Sequence, residues 1–275
     1  MTTFIVPIDF TEESIKGAET GARIAAQVRD ARLILYNVYA SITASTDGSP
    51  LADDTGARRK VTEIAFQNVR SQLLAQQPSV NIEYWEEEGD SLVDNLEKFA
   101  GTQQADFIIM NVSEASAVQH FIFGSNAVEV AKRAICPVII LPPNAGFKGV
   151  KKVLFASDLK DVAGSTPIDS IRKVLSLFDS TVHVLHVAAG VEREADELQQ
   201  QKSALHEMLI TYRPEFYLLD QTDFLQAVEQ IVQEQDIDLI LTVPRTHGFF
   251  SNLFSANHTK KLAYQGTVPV IAIHE

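Results

Sequence analysis

Phe4-Ile5-Val6-Pro7-Ile8-Asp9-Phe10-Thr11-Glu12-Glu13-Ser14 opens the chain, and Val153-Leu154-Phe155-Ala156-Ser157-Asp158-Leu159-Lys160-Asp161-Val162-Ala163 repeats its pattern 149 residues later. In each stretch a short apolar run ends on an aspartate and turns polar. Two later phrases recur at an offset of 132: Asp106–Met110 (DFIIM) against Asp238–Thr242 (DLILT), and Cys136-Pro137-Val138 against Val268-Pro269-Val270. The two offsets differ by 17, so the first repeat carries that many extra residues between its second and third strands. A repeat of this length is a whole domain, not a solenoid unit.

Working outward, each repeat alternates apolar runs with amphipathic stretches. In the first, residues 4–8, 32–39, 80–85, 106–111 and 138–141 read as strands. Residues 12–29, 56–77, 91–103 and 125–134 have apolar residues at helical spacing, as in Leu92, Leu96, Phe99 and Ala100. The second repeats the order, with strands over 152–156, 181–188, 215–219, 238–243 and 268–273. Near-continuous apolar strands separated by helices predict a parallel sheet covered on both faces. The fold class is therefore α/β: two tandem open five-stranded parallel sheets with helices on both faces. The predicted domains span residues 1–145 and 152–275, with 146–151 as linker. The polar, turn-forming segment Ser41–Gly56 holds most of the extra length and leaves the carboxyl end of a strand, where open sheets bind ligands. A lid and a tolerated insertion are both open for it.

Composition narrows the function. The 275 residues are 45% hydrophobic with a net charge of −13, and no basic stripe is present. Phosphate neutralisation needs clustered Lys and Arg, so nucleic acid and anionic membranes are not expected partners. The longest apolar runs are strand-sized, too short to span a bilayer. The opening MTTFIVPIDF reads as a strand and not as a signal sequence. The single cysteine, Cys136, precedes a proline at the start of an apolar strand, fits a buried thiol and points to a reducing cytoplasm.

The loops after the first and fourth strands flank the usual crevice of such a sheet. Asp9 and Asp158 end the first strands, where a carboxylate can accept hydrogen bonds from a ribose or base, or can cap the next helix. After the fourth strand of the first repeat come Asn111-Val112-Ser113-Glu114 and then Gly124-Ser125-Asn126 opening a helix, a candidate anion site at a helix N-terminus. No Walker sequence, no dinucleotide fingerprint and no nucleophile elbow occur. Six of the seven histidines fall in the second repeat. His183 and His186 lie three apart on a strand, hence on opposite faces, and His247, His258 and His274 have no recognised ligand spacing, so no metal site is expected. Glu86-Glu87-Glu88 reads as a solvated acidic edge.

The phrase VPIDFTEES, the strand DFIIM and the ending GSNAVEVAKRAICPVIIL resemble universal stress proteins, over essentially the whole chain as two family domains in tandem. In nucleotide-binding members, the resemblance implies, a loop Gly-x2-Gly-x9-Gly-(Ser/Thr) holds ATP phosphates. The first-strand aspartate and the backbone after the second strand hold the adenosine. Carried over, these are Asp9, Val38 and Gly124-Ser125, whereas the first two glycines fall on Asn111 and Glu114. Glu114 adds a like charge costing roughly 1–4 kcal/mol at surface-like dielectric. In the second repeat the counterparts are Asp158, Val187, Val243, Thr246 and Ala256-Asn257. A two-residue shift instead matches Thr246-His247-Gly248 to a common family triplet and ends on His258-Thr259. Arg245, His247 and His258 offer cationic or switchable groups there.

The resemblance also implies antiparallel pairing of the last strands, which one chain can make internally as a pseudo-dimer, with a homodimer as a further assembly. The expectation is a cytoplasmic stress-response regulatory or interaction protein with a degenerate nucleotide-binding loop in both domains and an unknown protein partner. The alternative is an ATP- or AMP-binding stress protein using the first crevice. No nucleophile, base and orienting group occur together, so no catalysis is expected.

Overall fold

Among the described residues the apolar runs form ten strands joined mainly by helices. The structure, a computed structural model, describes residues 1–40, 55–112, 125–143, 146–188, 195–221, 223–243 and 268–273. By contacts the chain divides into two compact units, Met1–Met110 and Asn111–Glu275.

In the first unit, β1 (Thr2–Pro7), β2 (Ala31–Tyr39), β3 (Asn81–Glu88) and β4 (Phe107–Asn111, whose last residue begins the second unit) alternate with α1 (Glu12–Ala26), α2 (Thr55–Gln76) and α3 (Leu92–Gln103). The strands are parallel in the order β3-β2-β1-β4, with Ile5 opposite Ile34 on one side and Ile108 on the other. Phe4, Ile5, Leu33, Leu35 and Ile108 are fully buried although they alternate in direction, so both faces are covered. Gly21 lets α1 approach β1 closely; a Cβ there would meet Val6 Cγ2 at 3.0 Å.

The second unit contains α4 (Ser125–Arg133), β5 (Val138–Leu141), β6 (Lys152–Ala156), α5 (Val162–Ser165), α6 (Ile168–Phe178), β7 (Thr181–Ala188), α7 (Ala195–Leu209), β8 (Glu215–Asp220), α8 (Phe224–Gln235), β9 (Leu239–Thr242) and β10 (Val270–Ala272). Its strand order is β5-β10-β9-β6-β7-β8. All neighbours are parallel except β5 and β10, which run antiparallel with Val270 opposite Ile140 and Ile271 opposite Ile139. By contacts β5 falls in the second unit, whereas the sequence leads one to expect the linker at 146–151. Pro137 and Pro269 each precede one of these strands, where a missing N–H costs no ladder bond. One face of the sheet packs Leu154, Leu185 and Ile240 against Ala227, Val228 and Ile231 of α8. Val153, Phe155 and Val184 alternate to the other face and are equally buried.

The shared phrases resolve into shared backbone duties. Asp106 Oδ2 accepts from the Thr3 N–H at 2.9 Å, and Asp238 Oδ2 accepts from the Lys152 N–H at 3.0 Å, so each aspartate tethers the start of its repeat's first strand. Asp30, in the turn before β2, and Asp179, 149 residues later at the C-cap of α6, are both left-handed, with φ 56° and 49°. Gln104 and Asp236, 132 apart, are likewise left-handed at the ends of α3 and α8.

The repeats differ after their first strands. α1 is continuous, but its counterpart breaks into α5 and α6 at Thr166-Pro167. Proline drives its predecessor out of the helical region, and Thr166 sits extended at φ −98°, ψ 119°. Pro167 marks the break in the sequence.

Candidate functional site

The carboxyl end of each first strand carries the same device. Asp9 Oδ1 accepts from the Thr11 N–H at 3.0 Å and from the Thr11 hydroxyl at 2.6 Å. Asp158 Oδ1 accepts from the Lys160 N–H at 3.0 Å. Both are Asx-turns, in which the side chain holds the backbone two residues on. The intervening residue is left-handed in both: Phe10 at φ 64° and Leu159 at φ 50°. For a residue with a side chain that conformation costs roughly 1–2 kcal/mol, and it persists only where its surroundings impose it.

Capping, one of two roles open to these aspartates, falls elsewhere. Thr11 is the N-cap of α1, its hydroxyl accepting from the Ser14 N–H at 3.2 Å. In the second repeat Asp161 occupies the N-cap of α5 without a side-chain bond, and the Val162 N–H turns to Gln201 Oε1 at 2.8 Å. The left-handed residue delays the helix, so the aspartate braces the turn instead. Partial burial pulls the Asp9 carboxyl up, but hydrogen bonds from the Thr11 and Ser14 side chains and the Thr11 N–H outweigh it and hold the group below its ordinary value. Asp9 is therefore an ionised acceptor.

Val38 and Val187 lie half-buried near the ends of β2 and β7, opposite Glu87 and Leu219. In the second repeat, Asp158, Ser157, Phe155 and Ala156 with Thr166, Pro167 and Val243 line a small, open recess at the ends of β6 and β9, with room for about one water. The helix break supplies two of its walls.

The remaining candidates divide. Asn111 ends β4 half-buried, Ser125 begins α4 and Asn126 is exposed on it, all three in the second unit. Glu114, Gly124, Arg245, Thr246, His247, Ala256, Asn257, His258, Thr259 and His274 lie outside the described residues, as does most of the segment Ser41–Gly56. His183 and His186 point to opposite environments: His183 Nδ1 is 3.1 Å from the Tyr217 hydroxyl, and His186 Nδ1 is 3.0 Å from the Ser157 carbonyl. Among the described residues no group of three His, Cys, Asp or Glu side chains is placed to hold a metal. The acidic edge also holds tyrosines: Glu87 Oε2 accepts from the buried Tyr36 hydroxyl at 2.6 Å and Glu86 Oε2 from the Tyr84 hydroxyl at 3.1 Å.

A sequence model of the universal stress protein family matches residues 1–142, more than half of the chain. The chain belongs to the universal stress protein family. Solved structures agree at the level of fold. A universal stress protein from Archaeoglobus fulgidus DSM 4304, 18% identical, aligns over 99% of this chain and 96% of its own with a TM-score of 0.71. A functionally unknown protein from Pseudomonas aeruginosa PAO1, 13% identical, covers 100% of this chain and 92% of its own at 0.61. The cytoplasmic domain of a prokaryotic cation chloride cotransporter, 9% identical, covers 98% and 94% at 0.55. No curated protein matches the chain. For this universal stress protein, no helix among the described residues is long and apolar enough to cross a membrane.

His183 gives the second repeat a pH dependence. Burial lowers its pKa, Glu215 opposes that, and Lys152 adds to it. Tyr217, whose hydroxyl donates to Glu215 Oε2 at 2.9 Å, is pushed up to about 12 by burial and by that carboxylate. The folded His183 is thus neutral where the unfolded one would protonate. Its stability contribution is complete above the unfolded value of about 6.5 and is lost as pH falls below it. Urea midpoints measured at about pH 7.5 and about pH 5.5 should fall further in the native chain than in His183→Ile, which installs the residue of the first repeat, Ile34. Equal falls would remove His183 as the cause.

Proposed function

We propose that the chain is a regulatory protein of the universal stress type that binds an adenine nucleotide mainly through its nucleoside end. Asp9 and Val38 hold it in the first repeat, and Asp158 and Val187 offer the same groups in the second. The duplicated turn carries this reading. Both repeats keep the carboxylate, the left-handed residue and the Asx bond, although Phe10-Thr11 has become Leu159-Lys160. The phosphate-loop positions have not been kept: Asn111, Glu114 and Gly124-Ser125 stand against Val243, Thr246 and Ala256-Asn257. A maintained nucleoside end beside an altered phosphate end favours AMP over ATP, since each added phosphate meets fewer donors and, in the first repeat, a like charge. In the second repeat Arg245, Asn257, His258 and Thr259 are the candidates for an anionic group.

The same reading places the protein in the cytoplasm as a non-catalytic regulator that signals through a protein partner. The antiparallel register of β5 and β10 supports an internal pseudo-dimer, and a homodimer would extend it.

Calorimetry of nucleotide-free protein with AMP tests the assignment. Asp9→Ala is expected to weaken binding roughly ten- to hundredfold, the loss of one hydrogen bond to a charged group worth about 1.5–3 kcal/mol. AMP heats that stay unchanged in both Asp9→Ala and Asp158→Ala would remove these carboxylates from the site.

A further inference from the structure

The strand position just before Val38 and just before Val187 carries one bond made by two different side chains. Asn37 Nδ2 donates to the Ile8 carbonyl at 2.7 Å, and His186 Nδ1 sits 3.0 Å from the Ser157 carbonyl. Asn37 and His186 are 149 residues apart, as are Ile8 and Ser157. A carbonyl oxygen only accepts, so the proton of His186 in this bond is on Nδ1. Amide and imidazole share little except an N–H donor at this reach. The repeats have diverged in the side chain and kept the bond.

Its location gives it a consequence. The sheet ends here: the Ile8 N–H donates to the Tyr36 carbonyl at 2.8 Å and the Ser157 N–H to the Leu185 carbonyl at 2.9 Å, after which the chain leaves the ladder. The carbonyls of Ile8 and Ser157 belong to the residues preceding Asp9 and Asp158, and the left-handed residue follows one step later. The donor side chain hangs from the backbone that continues into Val38 or Val187. One bond therefore ties the end of the first strand to the end of the second, between the two groups assigned above to the nucleoside.

We infer that Asn37 and His186 are positioning residues, whose N–H groups pin the Ile8 and Ser157 carbonyls and so fix the turn that presents Asp9 and Asp158 to a nucleoside. The ligand in this statement rests on the proposed function; the pinned turn does not. A bond that only satisfied a carbonyl would stabilise the sheet and leave the turn unaltered, and the two roles separate by experiment.

The measurement is NMR on the full chain, following the Asp9 carboxyl through its titration and the exchange of the Thr11 amide. In Asn37→Leu, which removes the donor, the Asp9 carboxyl should rise toward its ordinary value and Thr11 exchange should quicken about tenfold. Asn37→His, which installs the donor used by the second repeat, should restore both. Unchanged Asp9 and Thr11 signals in Asn37→Leu, or no restoration in Asn37→His, would overturn the inference. The reciprocal His186→Asn keeps the test open if Asn37→Leu does not fold: the Lys160 amide should remain protected, and its loss of protection counts against the proposal. AMP calorimetry runs beside it. Native protein giving no heat with AMP refutes the nucleoside assignment, while the turn measurements still decide whether these residues position it.

Discussion

Ile271→Asp should unfold the second unit, or bring it within reach of mild urea. Ile271 is fully buried in β10, with Leu241 on one side and Ile139 on the other. Truncating such a side chain alone costs about 2–5 kcal/mol. The introduced carboxyl adds a desolvation penalty of several kcal/mol, since its cross-strand neighbours Ile139 and Leu241 are buried and apolar and bring no polar group to meet it. A whole domain is stable by only about 5–15 kcal/mol. Ile271→Val, which removes one methylene, should cost about 0.5–1.5 kcal/mol and leave the unit folded. Urea denaturation followed by circular dichroism reads both. An Ile271→Asp chain within about 1 kcal/mol of native would mean that the β5–β10 seam is not packed as described.

Tyr36→Ala should have the largest effect in the first unit. Tyr36 has no exposed surface, stacks on Phe99 with ring centroids 4.3 Å apart and planes 9° from parallel, and donates to Glu87. Large-to-small changes of this kind cost about 3–5 kcal/mol. Tyr36→Phe keeps the ring and removes only the hydroxyl, so about 1 kcal/mol should be lost. Burial and the Glu87 carboxylate both push the Tyr36 hydroxyl above its ordinary value, so it stays a donor throughout the working range. Because the Tyr36 carbonyl accepts from Ile8, the alanine variant should also disturb the Asp9 turn. Guanidinium unfolding gives the ratio between the two substitutions. Equal costs would assign the stabilisation to the hydroxyl and not to the stacked ring.

The two residues show what the sequence could and could not convey. Ile271 and Ile139 lie in apolar runs that start on a proline, and runs of that kind read directly as buried strands. The helices were legible in their spacing too, except where Pro167 splits one in two. Tyr36 gave no comparable signal, since nothing local says that its ring meets Phe99 more than sixty positions away. The aspartates were visible as candidates, but not as turn braces. A left-handed Phe10 or Leu159 leaves no mark in composition, because no glycine stands there. Asp106 and Asp238 read only as the start of a strand, although they tether the strand beside it. The Asn37 and His186 pair becomes visible when the repeats are laid on one another: each interrupts an apolar strand with a polar side chain at the same position. The two side chains differ, and the bond they share is what relates them.

The central claim is that the nucleoside end of the site is maintained and the phosphate end is not. Calorimetric titration of nucleotide-free protein with AMP and with ATP, under one buffer and salt, tests it most directly. The account predicts that AMP binds at least as tightly as ATP. ATP binding about tenfold tighter than AMP, worth about 1.4 kcal/mol from the added phosphates, would show a working phosphate loop and contradict it, and so would the absence of heat with either ligand.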